Sequence, residues 1–287
     1  MTGGWFSETL YPELQQRLQV TRVLHESRTR FQDVMVFENP RFGRVLTLDG
    51  VVQTTEHDEF AYHEMMSHVP ILAHGEVRRV AIIGGGDGGT LEEVLKHAGV
   101  ERAVMVEIDG EVVEICRQYL PDIAGDAFDD PRAELIIDDG VKFMRETDES
   151  FDVIIVDSTD PIGPSVPLFG SDFYRDCERH LSEYGVIVTQ SGVTFMQEDE
   201  ASNTYARMKP IFADATLYLT QVPTYGAGFM TLGWGCRSLA PRRTPKDVIE
   251  RRFAAAGLLT RYYSPVIHDA CFALPAYIEA LKTGEEA

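Results

Sequence analysis

The stretch Val80-Ala81-Ile82-Ile83-Gly84-Gly85-Gly86-Asp87-Gly88-Gly89-Thr90-Leu91-Glu92-Glu93-Val94-Leu95 decides the fold. An apolar run, a glycine-rich turn and a helix-forming segment read as the strand, turn and helix of a βαβ unit. Such a turn usually binds phosphate, because small residues let a ligand approach the N–H groups at the positive helix end. Asp87 argues against that. Its carboxylate repels pyrophosphate and attracts a cation, so the turn suits a nucleoside carrying positive charge. The G-x-G-x-x-G spacing of Gly84, Gly86 and Gly89 is a weak signal by itself.

Downstream, strands are predicted over 79–83, 103–108, 133–137, 151–156 and 186–189, with helices over 91–97, 110–119 and 172–181 between them. Strict alternation predicts a mostly parallel sheet with helices on both faces, a methyltransferase-like Rossmann arrangement. Residues 215–221 and 228–234, separated by Pro223-Thr224-Tyr225-Gly226, add an antiparallel hairpin at the edge. Upstream, 17–53 reads as short strands with turns at Asn39-Pro40 and Asp49-Gly50, too tightly spaced for crossover helices. This gives a small antiparallel β-sheet domain over 1–57 and an α/β catalytic domain over 58–287. Asp58 is expected to cap a helix through Phe60 to Met66 that stops before Pro70.

With 287 residues and 44% hydrophobic content, the chain can build one large core and a smaller one. Twenty-six bases against 46 acids give a net charge of −20, which disfavours nucleic acid and anionic membrane as partners and favours a cationic small molecule. Most of those acids belong to a solvated surface, so charge alone decides little. No stretch approaches the roughly 20 apolar residues of a membrane span, and Met1-Thr2-Gly3-Gly4-Trp5 lacks the plan of a signal peptide, so a cytoplasmic location is expected. Cys116, Cys177, Cys236 and Cys271 are widely spaced and read as buried free thiols.

In an open α/β sheet, ligands bind beyond the carboxyl ends of the strands. Here those ends are acidic: Asp87, then Glu107-Ile108-Asp109, Asp138-Asp139-Gly140, and Asp157-Ser158-Thr159-Asp160. Any one of these acids has a dull reading as a helix cap or turn residue. Four on one rim demand a compensating cation. Glu107 lies 18 residues beyond Gly89, where a ribose-binding acid belongs. Asp139 suits an exocyclic amine such as adenine N6, with Asp138 capping the following helix. Asp157 and Asp160 suit an amine, and the Pro/Gly-rich loop from Pro161 to about Gly170 suits a lid. An aliphatic amine with a pKa near ~10 must lose a proton before it attacks carbon, and Asp157 is the candidate base.

Together with Asp58-Glu59-Phe60-Ala61-Tyr62-His63-Glu64-Met65, these motifs resemble, in order and over nearly the whole chain, the polyamine aminopropyltransferases of the bacterial spermidine synthase type. The resemblance implies transfer of the aminopropyl group of decarboxylated S-adenosylmethionine to putrescine, giving spermidine and methylthioadenosine, with no metal and no other cofactor. It implies that Gln53, Asp87, Glu107, Asp139 and Gly140 hold the nucleoside, with Asp87 on its ammonium. It implies that Tyr62, Asp157, Asp160 and Tyr225 hold the diamine, with His63 and Gln190 nearby, and that the chain forms a homodimer or homotetramer. His57, where the family has arginine, and Gly226-Ala227 after Tyr225 depart from the pattern.

Other readings stay open on the residues alone. A small-molecule N-methyltransferase using intact S-adenosylmethionine shares the fold and the ribose acid, although Asp87 and the Asp157/Asp160 pair oppose it. A nucleoside-binding or polyamine-sensing protein would bind without turnover. Cadaverine, agmatine and spermidine are alternative acceptors. A zinc site at His63 and His68 is disfavoured, because histidines five apart on a helix point about 140° away from each other at ~100° per residue. Tyr62, Tyr225 and Trp5 also have ordinary readings as packing residues.

Overall fold

The computed structural model describes residues 3–283. It opens with β1 (Gly4–Ser7) paired antiparallel to β2 (Arg17–Val20), followed by an antiparallel meander of β3 (Arg22–Arg28), β4 (Asp33–Asn39), β5 (Gly43–Leu48) and β6 (Val51–Thr55). Two small sheets therefore stand where one was expected. The strand at Gly4–Ser7 escaped the sequence reading because four residues with adjacent Trp5 and Phe6 carry no alternation. Asp49 and Gly50, with φ of 48° and 78°, turn β5 into β6 as an Asp-Gly hairpin should.

Next comes α1 (Phe60–His74), which runs through Pro70 and ends only at Gly75, in the left-handed conformation with its N–H on the Ile71 carbonyl. The expected stop before Pro70 is thus wrong. Proline removes one donor, but every residue from Ala61 to Ala73 is buried, and packing outweighs the lost bond. Asp58 is not the cap either. Its carboxylate instead accepts from Thr55 Oγ1 at 2.6 Å and from Thr224 N and Oγ1, both at 2.8 Å.

The remaining chain alternates: β7 (Arg79–Gly84), α2 (Gly89–Leu95), β8 (Arg102–Glu107), α3 (Gly110–Tyr119), α4 (Pro121–Ala124), β9 (Ala133–Ile137), α5 (Gly140–Glu146), β10 (Phe151–Asp157), α6 (Ser171–His180), β11 (Leu181–Val193) and α7 (Glu198–Met208). After these come β12 (Asp214–Thr220), β13 (Met230–Cys236), α8 (Lys246–Ala256), α9 (Pro265–Ala270) and α10 (Ala276–Thr283). The sheet order is β12-β13-β11-β10-β7-β8-β9, with β7 to β11 parallel and β12 and β13 antiparallel at one edge. The strand order reverses between β7 and β10, the switch point at which such sheets bind ligands.

The period-2 alternation of the strands splits the core. Val80, Ile82, Met105, Val153 and Ile155 pack with α1 and α2 on one face, while Ala81, Ile83, Val104, Ile154 and Val156 pack with Met144 of α5 and Phe173 and Tyr174 of α6 on the other. The small meander is fixed to the large domain by Val34, Val36, Leu46 and Leu48 against Val112, Ile115 and Cys116 of α3. A polar bond adds to this: Thr29 Oγ1 donates to Asp109 at 2.6 Å, and Asp109 also caps α3. All four cysteines are free and buried.

Candidate active site

A cavity of about 250 Å³ opens at the β7/β10 switch point. The glycine turn makes room for it. Gly84 has φ of 87°, and a Cβ there would lie 2.1 Å from the Asp157 carbonyl oxygen; a Cβ on Gly89 would lie 2.2 Å from His63 Nδ1. Only glycine lets the turn pass under β10 and against α1 at once.

Asp87 leaves this turn with Oδ1 accepting from Gly89 N–H at 2.8 Å. His63 Nε2 stands 3.5 Å from the same oxygen, and His63 Nδ1 bonds Glu59 Oε2 at 2.8 Å. Burial depresses the imidazolium, but Asp87, and after it Glu59, more than offset this and raise its pKa well above the ordinary value. At the end of β8, Glu107 accepts from Asp109 N–H at 2.8 Å, and burial pushes its carboxyl up to about 7. Asp139 ends the β9 connection and caps α5, its Oδ1 accepting from Val141 N–H at 2.8 Å and Lys142 N–H at 3.3 Å. The expected division between the neighbouring acids is therefore corrected: Asp139 is the cap, while Asp138 pairs with Lys142 at 2.8 Å on the surface, because the β-region backbone at 139 aims that side chain at the helix N–H groups. Gly140 follows, tight against Ile83.

At the other side of the switch point, Asp157 ends β10. Burial first and the Asp87 charge second raise its carboxyl, and His63, Thr90 and Tyr62 pull it back. Burial also raises Asp160. Tyr62 of α1 and Tyr225 of the β12–β13 loop meet edge to face at 6.2 Å between ring centroids, and Tyr225 Oη donates to the Gln53 carbonyl at 2.5 Å. Gln190 of β11 donates to the Thr159 carbonyl at 3.2 Å and accepts from Gly192 N–H at 3.0 Å.

All the candidates, Gln53, Tyr62, His63, Asp87, Glu107, Asp139, Gly140, Asp157, Asp160, Gln190 and Tyr225, line this cavity. Asp109 does not; its carboxylate serves α3, Thr29 and Gln32. Gln53 sits in the wall with its amide donating to its own strand at Val51, 3.3 Å away. Pro164, Ser165 and Leu168 of the 3₁₀ segment Gly163–Phe169 complete the wall beside Asp160, so the Pro/Gly-rich loop lines the cavity.

The sequence reading missed several wall residues. Gln32 lies before β4 and bonds Asp109 at 3.0 Å; Glu8 accepts from Val52 N–H at 2.9 Å; Tyr11 Oη donates to Gln197 at 3.0 Å. Gln197, also in the wall, donates at 2.9 Å to Glu200 behind it, whose other oxygen is buried without a partner and whose carboxyl burial pushes up to about 8. Glu8 and Tyr11 stand alone in a stretch with no periodicity, so no motif points to them.

Among the described residues the cavity wall holds Glu8, Asp49, Asp87, Glu107, Asp139, Asp157 and Asp160 but no lysine or arginine. So many acids gathered in one cleft need cationic guests. No group of three or more His, Cys, Asp or Glu among the described residues is arranged to hold a metal ion, and none of their helices is long and apolar enough to cross a membrane.

Comparison with known proteins agrees with this geometry. Residues 59–241 match the spermine/spermidine synthase domain, and residues 4–56 match the spermidine synthase tetramerisation domain. The chain is 55% identical to polyamine aminopropyltransferase 1 of Pseudomonas aeruginosa, covering 95% of this chain and 96% of that one. It is 55% identical to the polyamine aminopropyltransferase of a Ruegeria species, with 96% and 98% covered. A crystal structure of spermidine synthase in complex with the transition-state analogue AdoDATO superposes with a TM-score of 0.93 at 37% identity, covering 98% of this chain and 96% of that one. Spermidine synthase from Thermotoga maritima superposes with a TM-score of 0.89 at 36% identity, covering 98% and 94%. With its acid-lined switch point and its matches over both domains, the chain belongs to the spermine/spermidine synthase family of polyamine aminopropyltransferases.

Proposed function

We propose that this aminopropyltransferase moves the aminopropyl group of decarboxylated S-adenosylmethionine to putrescine, releasing spermidine and methylthioadenosine. The observation that carries the reading is the acid-lined cavity without lysine or arginine, because both substrates are cations and the donor lacks the carboxylate that Asp87 would repel. Glu107 accepts from the ribose hydroxyls, Asp139 keeps Oδ2 for an adenine amine, and Gln53, Gly140 and Gln32 shape the nucleoside end. Asp87 holds the donor ammonium.

Tyr62, His63, Gln190 and Tyr225 flank the diamine, whose far ammonium meets Asp160 and Glu8. Asp157 takes a proton from the near ammonium. The freed lone pair then attacks the methylene bonded to sulfur, the C–S bond breaks, and its electrons neutralise the sulfonium as methylthioadenosine leaves. A sulfonium is a good leaving group, so alignment and one deprotonation supply the catalysis, and no metal or other cofactor takes part. The tetramerisation-domain match over 4–56 supports a homotetramer, with a homodimer as its building unit.

Incubation with decarboxylated donor and putrescine should yield equimolar spermidine and methylthioadenosine. Greater turnover with cadaverine, agmatine or spermidine would replace putrescine as the acceptor. Methyl transfer from intact S-adenosylmethionine, without aminopropyl transfer, would overturn the reading.

A further inference from the structure

Asp157 is held from behind. Its Oδ2 accepts a 2.6 Å hydrogen bond from Thr90 Oγ1, and a Cβ on Gly85 would lie 3.1 Å from that same oxygen. Its main chain is fixed by the glycine turn as well, through Gly85 N–H on its carbonyl at 2.8 Å and the register of Asp157 opposite Gly84. Thr90 is fully buried in the first turn of α2 and is not part of the cavity wall, so substrate does not reach its hydroxyl. The bond therefore occupies one carboxylate oxygen and leaves Oδ1 for the incoming amine.

We propose that Thr90 is a positioning residue of the aminopropyl transfer, fixing the Asp157 carboxylate so that Oδ1 meets the amine. The inference rests on the reading of Asp157 as base. Threonine suits the task because its branched β-carbon leaves few χ1 states, so the hydroxyl is aimed before substrate arrives. A hydrogen bond to the ionised carboxylate also favours the form that can accept a proton. The groups facing Asp157 are Asp87 from the glycine turn, Tyr62 and His63 from α1, Tyr225 from the β12–β13 loop and Glu107 from β8. Asp87 and Glu107 gain nothing from a second negative charge beside them, so the Thr90 hydroxyl acts with the His63 imidazolium and the Tyr62 hydroxyl to keep the base ionised.

Thr90→Val keeps the shape and deletes the hydroxyl; Thr90→Ser restores it, and Thr90→Ala repeats the deletion if the valine variant does not fold. We would measure kcat and KM for both substrates from acid to alkaline pH. In parallel, the Asp157 carboxyl would be titrated by carbon NMR in the free enzyme, assigned by its loss in Asp157→Asn. The expected result is a fall in kcat of about tenfold near neutral pH, an acid limb displaced upward by about one unit, and an unchanged donor KM, with recovery in the serine variant. The carboxyl resonance should titrate at higher pH in the hydroxyl-free variant. Wild-type rates and an unmoved titration in Thr90→Val or Thr90→Ala, or no recovery in Thr90→Ser, would overturn the role of Thr90. A wild type without aminopropyl transfer overturns the base reading itself, and the NMR titration then reports separately on the Thr90 bond.

Discussion

His63 Nε2 lies 3.5 Å from Asp87 Oδ1, so the acid that interrupts the glycine turn meets an imidazole carried on the helix preceding that turn. The close pass is possible because Gly89 has no side chain to strike the His63 ring. Glu59, at the N-cap of α1 one turn before His63, holds the other ring nitrogen at 2.8 Å. Two carboxylates thus share one buried imidazolium, and a cation is already part of the wall before any substrate enters. A donor ammonium at Asp87 competes with His63 for the same charge, whereas a donor carboxylate there would face Asp87 directly.

Replacing Asp87 by asparagine keeps the shape and the bond from Gly89 N–H but removes the charge. The ratio of turnover with decarboxylated S-adenosylmethionine to turnover with the intact form should fall by at least about tenfold, since hydrogen bonds to charged groups contribute about 1.5–3 kcal/mol. The two donors would be compared at equal concentration by methylthioadenosine release. An unchanged ratio would remove Asp87 as the selector.

Glu59→Gln tests the other half of the pair through stability. The folded pKa of His63 is raised above its unfolded value of about 6.5, so its contribution is fully present below that pH and is lost as pH rises through the folded value. The variant should therefore lose about 1–2 kcal/mol near pH 6 and progressively less in alkaline buffer. Thermal melts of both proteins across that range measure it; a melting-point gap independent of pH would show that Glu59 acts without the His63 charge.

These relationships were unevenly legible in the sequence. Asp87, Glu107, Asp139 and Asp157 could be read because each lies at or within three residues of a strand end at a spacing set by βα units, and β-periodicity marks those ends. The cap expected at Asp138 falls on Asp139 because both can cap and only backbone direction separates them. Glu8, Tyr11 and Gln32 reach the cavity from the small sheets through contacts such as Glu8 to Val52, which no local pattern encodes. Pro70 misled for the opposite reason: local propensity was read correctly, and burial of the whole α1 segment overrode it.

Glu107 should make nucleoside binding depend on pH. Its carboxyl, raised by burial from 4.5 to about 7, must be ionised to accept both ribose hydroxyls. Methylthioadenosine affinity should therefore rise between about pH 6 and 8, by up to about tenfold per unit below the pKa, and Glu107→Gln should bind weakly with a flat profile. The stability term has the opposite sign: the folded state binds the extra proton, so the free enzyme loses the Glu107 contribution as pH rises from about 4.5 to about 7. Calorimetric titration with methylthioadenosine at several pH values decides it, and equal affinity at pH 6 and 8 in the wild type would refute the assignment.

The glycine turn itself can be tested by placing one methyl group at two positive-φ sites. At Gly84, with φ of 87°, a Cβ would stand 2.1 Å from the Asp157 carbonyl oxygen, and both atoms belong to main chain paired across β7 and β10. At Gly257, with φ of 63° and ψ of 26° in the left-handed region, a Cβ would meet nothing within 4 Å. Left-handed strain there costs about 1–2 kcal/mol, so a larger loss at Gly84 reports the collision. Gly257→Ala should melt within a few degrees of wild type and retain activity. Gly84→Ala should lose more than about 3 kcal/mol or fail to accumulate, because relief requires moving the strand that carries Asp157. Equal stability of the two variants would mean that β7 and β10 can separate at the switch point without cost, and the close approach of Gly84 would not be what positions Asp157.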